Sequence, residues 1–382
     1  MKSICFVVAT PFTANAFLLE HVKQLSLLYE VTLCLNLSLY TLSEDFDVKK
    51  VRVINIAIQR KIHPIKDIVT LFALFIVFRK EKFDAIHTVS PKAGLLGMLA
   101  AFFSGTKNRI HTFTGQIWVT SNGLSKYFYK LIDKIICWLA TNAFADSQSQ
   151  IDFLISEGVC KKNVIQMLGS GSISGVNLER FIPDDEVRSE YRNLMGAHQN
   201  DINFLFVGRI CRDKGINDLL AAYEKIQNQV KERNFLWIVG PDEENLTSLL
   251  RNKYPKLQKQ ITWCGPTNAP EKYMAAADIL VLPSYREGFG NVVIEAAACK
   301  IPTIAYKTEG IIDAIEDKQT GLLANKYDIE NLSLLMELLA TNTNLRKKLG
   351  QNAYERVMTM FSSKVVTAAW ISFYQKILAD SN

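Results

Sequence analysis

Short apolar runs alternate with longer stretches of helical periodicity along most of the chain, and the alternation occurs twice. In the first half, the runs of strand character are 4–9, 31–35, 51–54, 85–87, 109–113 and 143–145. In the second half, they are 203–208, 235–240, 261–265, 279–282 and 302–306. Alternation of strands and helices is typical of a parallel, doubly wound α/β sheet. The sequence therefore predicts two such domains, and 382 residues are enough to form both.

A polar, glycine-rich segment at 169–183 separates the two series of runs. We place the domain boundary there, with a first domain at 1–175 and a second at 176–355. The remaining residues, 356–382, have the pattern of a helix with Trp370 and Phe373 on its packing face. We expect this terminal helix to pack back on the first domain.

The stretch 286–295 follows an apolar run and precedes three alanines, so it predicts a corner between a strand and a helix. Gly288 and Gly290 leave the backbone bare where the helix begins. The backbone amides of 289–292 are expected to point out of the helix end, together with the positive end of the helix dipole. This arrangement suits an anion such as a diphosphate.

Two carboxylates, Glu287 and Glu295, flank the predicted anion site. They would repel a phosphate but can accept hydrogen bonds from neutral hydroxyls on either side of it. A sugar, a diphosphate and a ribose in a row describe a nucleotide-sugar. The alternative is an ordinary helix start with two surface glutamates.

The spacing of Glu287 and Glu295, after Pro283-Ser284, resembles the E-x7-E signature of retaining GT-B glycosyltransferases of the family-4 type. This resemblance implies two Rossmann-like domains, an interdomain cleft and a terminal helix that crosses back to the first domain. It assigns Glu287 to the hydroxyls of the transferred sugar and Glu295 to the ribose. The remaining donor-binding positions are then Phe289, Gly290, Asn291 and Val292.

The run 208–215 follows a predicted strand and resembles the family's G-R-x-x-x-x-K-G motif. Arg209 offers a planar fork to phosphate oxygens and Lys214 a compact charge. We expect both to stabilise the leaving diphosphate, so the predicted catalytic residues are Glu287, Arg209 and Lys214.

The first half departs from the family pattern at two positions. The segment 10–13 after the first strand has no glycine pair, so we expect the hydroxyl of Thr13 to contact the donor. The run 112–115 resembles the family's T-x-H-G, but Thr114 stands where histidine is usual. We expect Thr114 to line the sugar pocket. His111 and His87 are weaker candidates, for which a buried structural role is the alternative.

Neither a metal nor a cofactor is expected. The seven cysteines are scattered without a C-x-x-C pair, and the five histidines have no metal-ligand spacing. We interpret the cysteines as reduced thiols. The chain also lacks a D-x-D motif, so Arg209 and Lys214 are expected to neutralise the diphosphate without a metal ion.

The positive charge of the chain lies in its first half, which carries 20 Lys and Arg against 13 Asp and Glu. An apolar run at 68–78 is too short to span a bilayer, which needs about 20 residues, and has Lys61, Lys66 and Arg79 beside it. A second stretch, 118–138, mixes aromatic residues with lysines. Both stretches predict contact with an anionic membrane surface. Burial against the sheet is the alternative.

The resemblance, together with these patterns, implies a retaining glycosyltransferase that moves a hexosyl or N-acetylhexosaminyl unit from a nucleotide diphosphate sugar, with UDP as the favoured nucleotide. A lipid-linked saccharide in O-antigen or capsule synthesis is the expected acceptor. No signal peptide precedes the first strand, so we expect a cytoplasmic protein, peripheral on the inner face of the membrane, with no nucleic-acid partner. A nucleotide-sugar epimerase of the same fold and a non-catalytic nucleotide-sugar-binding protein are the alternatives.

Overall fold

The computed structural model describes residues 1–38, 41–46, 49–59, 62–227 and 229–379, and Lys61 lies outside these ranges. The chain divides into two compact units. The first comprises Met1–Gly175 with Ser363–Asn382, and the second comprises Val176–Ser362.

The first unit is built on a parallel sheet. Its strands are β1 (Ser3–Val7), β2 (Glu30–Leu35), β3 (Val51–Asn55), β4 (Ala85–Val89), β5 (Asn108–Phe113), β6 (Asn142–Ala145) and β7 (Ile165–Gln166). They lie in the order β3-β2-β1-β4-β5-β6-β7, so the chain reverses its direction of growth between β1 and β4. Such a switch point is where doubly wound sheets bind ligands, outside the carboxyl ends of the strands.

Helices cover both faces of this sheet. They are α1 (Pro11–Phe17), α2 (Leu19–Leu25), α3 (Pro64–Glu81), α4 (Pro91–Phe103), α5 (Leu124–Leu139) and α6 (Gln148–Ser156). One apolar core joins α3, α4, α5 and α6 to one face, and a second core joins α1 and α2 to the other.

The second unit repeats the architecture with the sheet order β10-β9-β8-β11-β12-β13. Its strands are β8 (Ile202–Val207), β9 (Asn234–Val239), β10 (Ile261–Gly265), β11 (Ile279–Leu282), β12 (Thr303–Tyr306) and β13 (Gly321–Ala324). Its helices are α7 (Asp185–Leu194), α8 (Ile216–Ile226), α9 (Leu246–Lys253), α10 (Pro270–Ala276), α11 (Asn291–Ala298), α12 (Ile311–Ala314), α13 (Ile329–Thr341) and α14 (Thr343–Met360). The prediction of two parallel, doubly wound sheets is confirmed.

The last helix, α15 (Ser363–Ala379), packs on the first unit and completes its second core. The hydroxyl of Tyr374 lies 2.6 Å from Nδ1 of His87, and the indole N–H of Trp370 donates to the carbonyl of Ile173 at 3.2 Å. Because Tyr374 and Trp370 are also buried, both apolar burial and hydrogen bonds hold α15 to the sheet of the first unit.

Two local features of the first unit bear on the predictions from sequence. The segment 10–13 forms the start of α1, because Pro11 begins the helix and the hydroxyl of Thr10 caps it by accepting from the amide of Thr13. The prediction that all cysteines are reduced is wrong for one pair, since Cys137 and Cys160 form a disulfide with their Cα atoms 5.8 Å apart. The last turn of α5 and the turn after α6 meet in the same core, which brings these two residues together.

In the described part of the chain, no helix combines the length and the apolarity that crossing a bilayer requires.

The buried Asp133 on α5 predicts a pH-dependent stability. Burial raises the pKa of its carboxyl to about 7, although the indole N–H of Trp118 donates to it at 2.8 Å and partly opposes the shift. An unfolded aspartate ionises near pH ~4, so the stability that the neutral carboxyl provides below that pH is lost as the pH rises to 7. Asp133→Asn does not titrate. The unfolding free energy of Asp133→Asn, relative to that of the wild type, should therefore rise by up to about 1.4 kcal/mol per pH unit between pH ~4 and pH ~7.

Thermal or urea unfolding of both proteins at pH 5 and pH 8 checks this expectation. A difference in stability that stays constant between the two pH values would contradict it.

Candidate functional site

Two loops at the carboxyl edge of the second sheet are in close contact through their backbones. The first follows β8 and contains Arg209, a 3-10 turn at Arg212–Lys214, and Gly215. Gly215 has a φ of 66°, and a Cβ atom at this position would collide with the carbonyl oxygen of Pro283 in the second loop, which follows β11. Only glycine permits both this backbone conformation and this approach.

Hydrogen bonds and ion pairs fix the register of the two loops. The backbone N–H of Tyr285 donates to the carbonyl of Asp213 at 2.8 Å. The guanidinium of Arg286 pairs with the carboxylate of Asp213 at 2.9 Å. Nζ of Lys214 lies 2.5 Å from Oε1 of Glu287, and both side chains are largely shielded from solvent. The structure thus brings together two of the three residues that the sequence predicts as catalytic.

Arg209 lies close to the same junction. Its guanidinium pairs with Glu243, which follows β9, at 2.7 Å. Partial burial lowers the pKa of Arg209, but the hydrogen bond and charge of Glu243 outweigh it, and the charge of Glu287 adds to the rise. Arg209 is therefore within electrostatic reach of Glu287, with its side chain oriented by a separate carboxylate.

The second loop leads into the N-terminus of α11 at Gly290, which has a φ of 83°. Gly310 also has a positive φ, and a Cβ atom there would collide with the carbonyl oxygen of Gly288. The side chain of Phe289 is buried with its ring 5.1 Å from that of Phe361. Phe289 can therefore reach a ligand only through its backbone, and Gly310 holds the corner in place.

Glu295 lies in α11, half-buried, and burial raises the pKa of its carboxyl to about 7 against the opposing charge of Arg180. Arg180 itself pairs with Glu271 at 2.8 Å. A hydrogen bond from a neutral hydroxyl would stabilise a carboxyl group in this setting, because it replaces the hydrogen bonds to water that burial removes. Asn291 and Val292, at the start of the same helix, are half-buried.

The first unit holds the other predicted positions. Thr13 lies in the first turn of α1 and Thr114 directly follows β5, so both stand at the carboxyl edge of the sheet, and both are half-buried.

His87 and His111 point into the cores on opposite faces of this sheet. Nε2 of His87 lies 2.8 Å from the hydroxyl of Thr112, and its other nitrogen contacts α15. Nδ1 of His111 lies 2.7 Å from the hydroxyl of Thr88, and burial lowers the pKa of His111 to about 3. Both rings are fully shielded from solvent and hydrogen-bonded inside the fold, which is the structural role that sequence analysis kept as the alternative.

Several residues of the junction were not predicted as functional. Asp213 and Arg286 join the loops, Glu243 orients Arg209, and Gly310 supports the corner. Asp213 and Arg286 each precede a predicted residue in the sequence. Their ion pair joins positions 73 residues apart, and the sequence alone does not show that these positions meet. Glu243 lies after a different strand, and only the sheet order brings it near.

The two parallel sheets and the charged junction at the carboxyl edge of the second define a GT-B α/β protein. The model of the family "Glycosyl transferases group 1" matches residues 187–356, and that of the "Glycosyl transferase 4-like domain" matches residues 14–168. The chain belongs to this glycosyltransferase family and is an enzyme of the bacterial polysaccharide type.

Two relatives agree with this assignment, and a solved structure shares the fold. The capsular polysaccharide biosynthesis glycosyltransferase CapM of Staphylococcus aureus is 31% identical over 329 residues, which cover 85% of each chain. An α-1,3-galactosyltransferase of Escherichia coli, named for UDP-Gal and α-D-GlcNAc-diphosphoundecaprenol, is 28% identical over 71% of this chain and 70% of its own. Sucrose-phosphate synthase from Thermosynechococcus elongatus shares the fold with a TM-score of 0.84 at 21% identity, over the full length of both chains.

The close approach of the two loops predicts a sharp difference between two glycine substitutions. Gly215→Ala and Gly196→Ala both place alanine at a positive φ, of 66° and 71°, but only the first meets other atoms. Gly196→Ala should cost about 1–2 kcal/mol of backbone strain, and Gly215→Ala should cost more because the loops must separate. Chemical unfolding measures the two free energies, and equal losses would contradict the contact.

Lys214 predicts a specific loss of nucleotide binding. Lys214→Ala should weaken UDP binding at least tenfold, because a charged hydrogen bond to phosphate contributes about 1.5–3 kcal/mol. Lys225→Ala removes another paired lysine of the same unit, on the exposed surface, and should leave the affinity unchanged. Calorimetric titration with UDP compares them, and an unchanged Kd in Lys214→Ala would remove this residue from the phosphate site.

Proposed function

We propose that this glycosyltransferase moves a hexosyl or N-acetylhexosaminyl unit from a UDP-sugar to a hydroxyl of a saccharide on a polyprenyl diphosphate, with retention of the anomeric configuration. The observation that carries the proposal is the loop junction of the second unit, where Lys214 pairs with Glu287 and Arg209 lies within electrostatic reach. This junction offers positive charge to a diphosphate and a carboxylate to the sugar hydroxyls beside it.

Departure of the nucleotide builds negative charge on the diphosphate. Arg209, Lys214 and the N-terminus of α11 stabilise that charge as preorganised groups. Donor binding exchanges the Lys214–Glu287 contact for contacts of each side chain with the ligand, so Glu287 becomes available to the sugar hydroxyls. The leaving phosphate takes the proton of the acceptor hydroxyl, and the acceptor oxygen bonds to the anomeric carbon on the face from which the nucleotide departs. This same-face attack gives retention without an enzyme nucleophile.

The names of two relatives support the choice of donor and acceptor. The Escherichia coli enzyme is named for UDP-Gal and a GlcNAc-diphosphoundecaprenol acceptor. A Campylobacter jejuni relative, 24% identical over 84% of each chain, is named for a diacetylbacillosaminyl-diphospho-undecaprenol acceptor. A polyprenyl diphosphate acceptor in O-antigen or capsule synthesis is the corresponding assignment here.

A lipid-linked acceptor calls for a surface that meets the membrane, and α3 supplies one. Its inner face, with Leu74 and Phe78, is buried in the core of the first unit. Its outer face carries large apolar side chains at helical spacing, each more than half exposed: Ile65, Ile68, Val69, Phe72 and Ile76. Such a stripe is unusual on a surface that faces only water.

α5 adds a second exposed apolar stripe, on the same face of the sheet as α3 and with α4 between the two helices. Its exposed apolar residues are Leu124, Tyr127, Phe128, Leu131 and Trp138. Exposed basic side chains of Lys66, Arg79, Lys80, Lys126 and Lys134 accompany them. We define these exposed residues of α3 and α5 as the apolar-basic face. Apolar groups for the acyl boundary and cations for anionic headgroups favour a membrane as its partner, on the inner side of the cytoplasmic membrane.

Activity measurements test the reaction. The wild type is incubated with a panel of UDP-sugars and a synthetic N-acetylglucosaminyl diphosphate with a short alkyl chain, with and without EDTA. We expect a glycosylated acceptor of retained anomeric configuration, formed at the same rate in EDTA. Glu287→Ala should lower the rate at least a hundredfold because it removes the contact to the sugar, whereas Glu330→Ala, at an exposed ion pair, should not change it.

An isomerised UDP-sugar in the absence of acceptor would identify an epimerase instead. Binding of UDP-sugars with no product on any acceptor would identify a non-catalytic binding protein.

Sedimentation with vesicles tests the apolar-basic face. The double variant Phe72→Glu/Ile76→Glu should lose most of its binding to vesicles that contain phosphatidylglycerol, because it places two charges in the stripe. The matched variant Leu334→Glu/Leu338→Glu changes two exposed leucines on α13, also four residues apart, and should bind like the wild type. Equal binding of the two variants to vesicles would contradict a membrane partner. A wild type that is dimeric in solution, with a monomeric Phe72→Glu/Ile76→Glu variant, would contradict it as well, because the face would then bind a second copy of the chain.

A further inference from the structure

Two buried polar atoms near the carboxyl edge of the first sheet have no partner within the described fold. Within the part of the chain that the structure describes, Nε2 of Gln116 and Oδ1 of Asp146 have no hydrogen-bond partner. Gln116 is 2% exposed and Asp146 is 6% exposed. Buried polar atoms are almost always paired, since an unpaired one costs about 1–3 kcal/mol. An unpaired buried polar atom at the edge where doubly wound sheets bind ligands is a candidate for contact with a ligand.

The topology brings the two residues to neighbouring positions. Phe113 and Ala145 are the last paired residues of the parallel strands β5 and β6. Asp146 directly follows Ala145, and Gln116 follows Phe113 by three residues. Adjacent parallel strands lie about 4.8 Å apart, so the segments that carry the two residues leave the sheet side by side.

The chemistry of the pair matches one kind of group. The amide N–H of Gln116 donates a hydrogen bond, and Oδ1 of Asp146 accepts one. A hydroxyl is both donor and acceptor, so a single sugar hydroxyl can satisfy both atoms. Burial also raises the pKa of the Asp146 carboxyl to about 8. A carboxyl group that is buried in this way is better matched by a neutral ligand group than by a charged one.

The position of Gln116 in the chain connects this pair to the acceptor. Gln116 precedes a 3-10 turn at Ile117–Val119, and α5 begins shortly afterwards at Leu124. The helix whose outer side belongs to the apolar-basic face therefore starts next to the loop that carries Gln116. The segment that carries Gln116 thus connects the carboxyl edge of the sheet to a helix of the apolar-basic face.

We propose that Gln116 and Asp146 bind a hydroxyl of the acceptor saccharide. This inference rests on the proposed transfer to a lipid-linked saccharide and names two residues of the first unit that select and orient the acceptor. The two residues position the sugar while the charged junction of the second unit holds the donor.

Steady-state kinetics of Gln116→Leu and Asp146→Leu test the pair, with the synthetic N-acetylglucosaminyl diphosphate as acceptor. Each variant should raise the KM for acceptor about tenfold or more and leave the Kd for UDP unchanged. The melting temperature should stay the same or rise, because an unpaired buried polar group is removed. Gln148→Leu, at an exposed glutamine of α6, is the matched control and should behave like the wild type.

A KM for acceptor within twofold of the wild type in both variants would overturn the inference while leaving the proposed function intact. A lowered melting temperature with parallel losses of acceptor and UDP binding would also overturn it, because the pair would then serve the fold. Failure of the wild type to glycosylate any acceptor would instead refute the proposed function.

Discussion

The contact between two loops of the second unit is the constraint on which the proposed donor site depends. The backbone of Gly215 packs against the carbonyl of Pro283. The ion pair between Lys214 and Glu287 joins the same two loops through their side chains. Each charge compensates the other, so neither is left unpaired in a largely desolvated place. In the proposed reaction, the diphosphate takes over Lys214 and the sugar hydroxyls take over Glu287.

Carboxylates in this unit have different tasks according to their surroundings. Glu243 and Asp213 orient arginines, Glu287 holds a lysine, and Glu295 lies half-buried with a raised pKa. The first unit contains no comparable cluster of ion pairs among its described residues at the carboxyl edge. It has instead a face of apolar and basic side chains and two buried polar atoms without a hydrogen-bond partner in the described part of the chain, in Gln116 and Asp146. The proposed donor and acceptor contacts therefore differ in chemistry, with charged groups in the second unit and neutral hydrogen bonds in the first.

Much of the fold could be predicted because periodicity and turn residues report on local structure. The two-residue strand β7 is too short to have a pattern, and β13 carries two leucines that periodicity alone does not distinguish from a helix. The loops with Arg209 and Glu287 were found through motifs whose residues are close in sequence. The pairings with Asp213 and Glu243, and the burial of His87 and His111, depend on which strands lie side by side, and that information is not local.

The most direct measurement is a structure of the protein with UDP bound. The account predicts the diphosphate oxygens within hydrogen-bonding distance of the Lys214 ammonium, the Arg209 guanidinium and the backbone amides at the start of α11, with Lys214 released from Glu287. A diphosphate bound away from these groups, or an unbroken Lys214–Glu287 pair beside a fully occupied UDP, would contradict it.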